Sequence, residues 1–170
     1  MSEAIVDLRT IPVIYVAGEA GRPHAEEAPK AFDRLEAQLL TLKGRHFYGA
    51  VVGGEYRACA GEQPGGEVLE RIALAWNRGA IPEDNGERVN PLGQTKESEF
   101  TQPEHALGIV RWTLPGGRYR RVRIADWEAH RDQIGPTAAD LVSRPDYDPT
   151  RPLIEHYRGQ RELQMLAPVR

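Results

Sequence analysis

One cysteine, Cys59, is all that a chain of 170 residues carries, and this excludes an intrachain disulfide. It sits in the alternating apolar run YRACAGE, the setting of a buried structural thiol rather than a nucleophile. A basic surplus is missing as well. The 22 lysines and arginines are outnumbered by 25 aspartates and glutamates, so direct nucleic-acid binding is not expected. Arginines cluster only at Arg118, Arg120, Arg121 and Arg123, where alternation assigns them to two faces of a strand. No apolar run approaches the roughly 20 residues that cross a bilayer, and the opening MSEAIVDLRT has no basic stretch leading into an apolar one. The expectation is a cytoplasmic protein with no membrane contact.

The usual catalytic signatures are absent too. His24, His46, His105, His130 and His156 show no ligand spacing such as H-x-x-x-H, so neither a metal nor another cofactor is expected. Pro-Gly-Gly at 64–66 and at 115–117 lacks the Lys-Ser/Thr that follows in a phosphate loop, and both read as turns. Ser98 and Ser143 lack a nucleophile elbow, and no Ser-His-Asp or Cys-His arrangement can be argued.

What is present is a pattern that repeats. Residues 4–17 are β-rich and interrupted by Pro12, which predicts an edge strand or two short pieces bent there. Phe32, Leu35, Leu39 and Leu42 recur at helical spacing, with Pro29 near the start and Gly44 past the end. HFYGAVVGGEYRACAGE then reads as a hairpin around Gly53-Gly54. The same order returns. GIVRWTLPGGRYRRVRIAD is extended, WEAHRDQIGPTAADLVSR has helical composition broken or offset at Gly135-Pro136, and LIEHYRG with QRELQMLAPV makes a second hairpin.

Two βαββ repeats, about 4–62 and about 108–169, thus flank an insertion of about 66–106 within a single domain spanning 1–170. One amphipathic helix per repeat covers one face of its strands. The predicted fold is α+β: a mostly antiparallel curved sheet, both helices on one face, a ligand groove on the other. The stretch 83–102 is turn-rich without apolar period and predicts a surface excursion with no long regular element.

A question remains in the last hairpin. Strand alternation places Leu153, Glu155 and Tyr157 on one side, Ile154 and His156 on the other. It does not say which side faces inward, and a strand glutamate is most often a solvated charge.

HFYGAVVGGEYRACAGE, LPGGRYRRVRIADW and DPTRPLIEHYRGQRELQMLAPV together resemble the GyrI-like family, which also forms the effector-binding half of AraC-type and MerR-type multidrug-sensing regulators. With the first strand and helix, the resemblance covers nearly the whole chain outside the insertion. It implies that Glu155 projects into an aromatic-lined pocket and meets cationic or polar ligand groups. No helix-turn-helix accompanies the repeats, so a free-standing copy is implied.

On that basis Tyr48, Trp112, Trp127 and Tyr119 are candidates to line the pocket, with Trp76 of the insertion as a lid. The expected partner is a hydrophobic aromatic small molecule, bound and inactivated as resistance to a xenobiotic or antibiotic. One branch of the family opens the strained cyclopropane of spirocyclopropyl DNA-alkylating compounds by hydrolysis. That chemistry would use Glu155 to activate water and Tyr157 to donate to the dienone oxygen. The alternatives are a non-catalytic sequestering or effector-binding protein, or a regulatory partner of a DNA enzyme. The residues leave catalysis and simple binding equally open.

Overall fold

In the computed structural model, which describes residues 2–39, 45–61 and 109–170, the alternating runs become eight strands. They are β1 (Glu3–Leu8), β2 (Ile11–Ala17), β3 (Phe47–Val52), β4 (Glu55–Gly61), β5 (Ile109–Leu114), β6 (Gly117–Ala125), β7 (Leu153–Arg158) and β8 (Glu162–Pro168). Two helices join them, α1 (His24–Glu36) and α2 (Ile134–Val142), the latter preceded by a short 3-10 turn. The insertion, with Trp76 and the 83–102 excursion, lies outside the described residues, as does Leu42.

Gly53 and Gly54 adopt φ of +56° and +85°, the left-handed pair that a two-residue hairpin needs, and they fix the β3–β4 register at Val52 opposite Glu55. Helix α1 starts six residues earlier than the spacing predicts, at His24, holds Pro29 inside it and ends at Glu36, before Leu39. Its inward face buries Ala31 and Leu35, both 0% exposed. Each fully buried leucine is worth about 1.5–3 kcal/mol. Gly135 and Pro136 do not break the second helix; they occupy its first turn, where a proline's missing N–H costs nothing.

All eight strands form one antiparallel sheet in the order β1-β6-β8-β7-β3-β4-β2-β5. The two repeats are thus β2-β4-β3 and β7-β8-β6, joined along β3 and β7. Each also lends a strand to the other. β1 continues into β2 across Arg9 and Thr10 yet pairs with β6, while β5 continues into β6 across Pro115 and Gly116 yet pairs with β2. The break in the first β-rich run falls at these two residues, just before Pro12, which itself lies in β2 opposite Thr113.

These shared, bent strands curl the sheet. Both helices pack on one side of it, α1 over Ile14, Val16, Ala58 and Ala60, and α2 over Val122, Ile124, Leu163 and Met165. The other side was expected to hold an open groove. Instead, residues from all eight strands meet there in one cluster, including Leu8, Val13, Tyr48, Cys59, Leu114, Tyr119, Ile154 and Leu166. Among the described residues, the side chains of the helix-free face thus pack on one another.

The Pro/Asp loop before β7 is tied down by one carboxylate. Asp148 accepts from Thr150 N at 3.0 Å, from Thr150 Oγ1 at 2.6 Å and from Arg151 Nε at 2.9 Å. Arg151 in turn donates to Gly116 O and Val169 O, at 3.1 and 2.7 Å. Hydrogen bonds from Thr150, then Arg151, lower the Asp148 carboxyl to about 2. A carboxyl depressed in the fold stabilises it above the unfolded value of about 3.9 and loses that contribution as pH falls through about 2. Asp148→Asn is therefore expected to lower the melting temperature at neutral pH. Melting curves of the two proteins should converge as the pH approaches about 2.

Candidate functional site

Glu155 points to the helix side of the sheet, at the seam where the repeats join. It and Gly49 are each the third residue of a six-residue strand, and they stand directly opposite each other. A Cβ on Gly49 would overlap the Tyr56 hydroxyl and come within 2.7 Å of Glu155 Oε2. Only glycine leaves room for what lies above it.

Above it, two phenols converge on one carboxylate oxygen. Tyr157 donates to Glu155 Oε2 at 2.6 Å and Tyr56 donates to the same atom at 2.9 Å. Their hydroxyls are 3.5 Å apart. Tyr157 comes from β7 two residues beyond the acid, Tyr56 from β4 in the other repeat. Glu155 Oε1 accepts no hydrogen bond from the described residues.

Aromatic rings close around this triad. Phe32 of α1 meets the ring of Tyr157 edge-on at 5.4 Å, that of Tyr56 at 6.3 Å and that of Phe47 at 6.4 Å. Trp127, in the turn before α2, packs edge-on against the other side of Tyr157 at 5.0 Å, and its Nε1 donates to Gly159 O. His24, at the start of α1, lies 5.9 Å from the Tyr56 ring and donates from Nε2 to Gly54 O at 3.0 Å. The site therefore lies between α1 and the turn that leads toward α2.

Burial pushes the Glu155 carboxyl above its ordinary value; hydrogen bonds from Tyr157 and Tyr56 and the charge of His24 oppose it. The same burial, with the negative charge beside them, pushes both phenols up, so they stay protonated donors. The residue as a whole is half-buried, with its carboxylate enclosed by protein.

Of the residues picked from the sequence, the structure brings together Glu155, Tyr157 and Trp127. Tyr48, Trp112 and Tyr119 belong to the cluster on the opposite face: Tyr48 stacks on His156, Trp112 meets Tyr15 edge-on, and Tyr119 donates to Pro115 O. Trp76 lies outside the described residues. Tyr56, Phe32, Gly49 and His24 were not picked. For Tyr56 a signal existed, because the Gly53-Gly54 turn fixes its place diagonal to Gly49. Phe32 was named only for the helical period it carries.

No family model matches the chain, and no curated protein matches it in sequence. Solved structures do share its fold at low identity. An integron cassette protein from the mobile metagenome of Vibrio cholerae superposes with a TM-score of 0.60 at 9% identity, over 99% of this chain and 95% of that one. A protein bound to tetraphenylphosphonium gives 0.56 at 9% identity, over 100% and 94%. A hydrolase from Listeria innocua gives 0.50 at 13% identity, over 99% and 91%. At these identities the likeness establishes the fold alone. Among the described residues no helix is long and apolar enough to cross a membrane.

Proposed function

We propose that this protein binds a bulky aromatic cation between α1 and the turn that leads toward α2, with Glu155 as counter-charge. The observation that carries the reading is a buried carboxylate ringed by aromatic side chains, with two donors on one oxygen and none on the other among the described residues. Placing a charge there costs several kcal/mol in folding, which a cation would offset by pairing with it. Aromatic walls add area and, toward a cation, favourable ring electrostatics. The protein of similar fold in complex with tetraphenylphosphonium supplies a probe of suitable shape.

A second reading is hydrolysis of a spirocyclopropyl dienone. Glu155 Oε1, on a carboxyl raised by burial, has the character of a proton acceptor for water. Against it, both phenols already donate to the carboxylate, which leaves no donor of the triad for a dienone oxygen. Binding and sequestration is the reading we adopt.

The test uses two ions of nearly one shape and opposite charge. Calorimetric titration should give saturable binding of tetraphenylphosphonium and none of tetraphenylborate. Equal binding of both, or of neither, would sink the counter-charge role. Incubation with a spirocyclopropyl dienone, followed for the ring-opened phenol, decides between sequestration and turnover.

A further inference from the structure

On the side of the seam opposite the acid, two histidines come together. His156 follows Glu155 on β7 and so points to the helix-free face; His46 immediately precedes β3. Their sequence separation of 110 residues hides the pair from any reading of local spacing. Both are held by the sheet. The His156 ring stacks on Tyr48 with centroids 4.6 Å apart and planes 26° apart, and the His46 carbonyl accepts from Gly61 N at 2.8 Å.

His46 Nδ1 and His156 Nε2 stand 3.4 Å apart. Here one ring N–H makes a long hydrogen bond to the other ring nitrogen, beyond the range of about 2.7–3.2 Å usual for an N–H donor to oxygen. Two imidazole nitrogens that each lie about 2.0–2.1 Å from one tetrahedral zinc are separated by about 3.3–3.4 Å. The two rings are tilted by 55° rather than stacked, with centroids 5.5 Å apart.

We propose that His46 and His156 form a two-imidazole site for a borderline divalent transition-metal ion, with Zn²⁺ the ion that fits the separation. Hard cations such as Mg²⁺ prefer oxygen ligands and do not fit a pair of nitrogens. Among the described residues no group of three or more His, Cys, Asp and Glu side chains could hold a metal. The described chain therefore supplies two ligands, and two tetrahedral positions remain for water or a donor atom of a bound molecule. The site is independent of the carboxylate cage, because neighbouring strand residues face opposite sides of the sheet.

Isothermal titration of the full chain with zinc chloride, in a non-chelating buffer at neutral pH, tests this. One ion per chain should bind saturably, and magnesium chloride should give no binding. His46→Ala and His156→Ala should each weaken zinc binding at least about tenfold, a ligand mattering no less than the groups that orient it. His130→Ala, at another exposed histidine, should bind as the wild type does. His46 is itself exposed, so metal-free His46→Ala should melt with the wild type, and its zinc affinity then reads the ligand alone. The proposal is overturned by the absence of saturable zinc binding, by His46→Ala binding like the wild type, or by His130→Ala losing the ion.

Discussion

Glu155→Gln is expected to weaken tetraphenylphosphonium binding about ten- to a hundredfold while making the unliganded protein more stable. The affinity loss corresponds to the roughly 1.5–3 kcal/mol of an interaction with a charged group. A glutamine still accepts from Tyr56 and Tyr157 and fills the same volume, so the cage keeps its shape. The gain in stability has the opposite origin. Burial raises the Glu155 carboxyl, which means that the fold disfavours its charge at neutral pH. Removing that charge should therefore raise the melting temperature, by about 2–4 °C for each kcal/mol gained in a chain of this size. Titration and thermal melting of the two proteins decide it. A variant that binds equally well, or one that melts lower, contradicts a cage whose acid is maintained for a cation.

Gly49→Ala should disturb the fold and the site together. The added carbon would overlap the Tyr56 hydroxyl and crowd Glu155 Oε2, so the phenol must leave its place. Overpacking of this kind costs about 1–3 kcal/mol. Its further result is functional: with Tyr56 displaced, the carboxylate loses one of its two donors. Gly49→Ala is therefore expected to lower the melting temperature by several degrees and to weaken tetraphenylphosphonium binding together with it. Combining it with Tyr56→Phe, which removes the overlapping oxygen, should restore part of the stability without restoring the donor. If Gly49→Ala melts and binds as the wild type does, the close packing over Gly49 is not what shapes the site.

The hairpins were legible because their turns are written in glycine and their strands alternate, and β3–β4 follows from Gly53-Gly54 alone. Alternation also placed Leu153, Glu155 and Tyr157 on one face, opposite Ile154 and His156. What it left open was which face that is. The choice depends on β3 pairing with β7, a contact between strands a hundred residues apart that carries no local mark. The same gap explains Tyr48, Trp112 and Tyr119. They were picked as strand aromatics to line the pocket, but they belong to the cluster packed on the helix-free face. Helix α1 was read as beginning beyond Pro29 because proline favours a first turn; the chain instead carries Pro29 on the exposed side of a helix that starts at His24 and ends at Glu36.

The equivalent positions of Gly49 and Glu155 have one more implication. Because each is third in its strand and they pair with each other, the approximate two-fold relation between the halves passes through this very pair. A dimer of identical half-length chains would be bound to place like against like there: two glutamates in collision, or two glycines and no acid at all. A lone negative charge at the midpoint is open only to a chain in which the two halves are covalently joined and free to diverge. Fusion of the halves is thus what makes an off-centre chemistry available at the centre of a near-symmetric molecule.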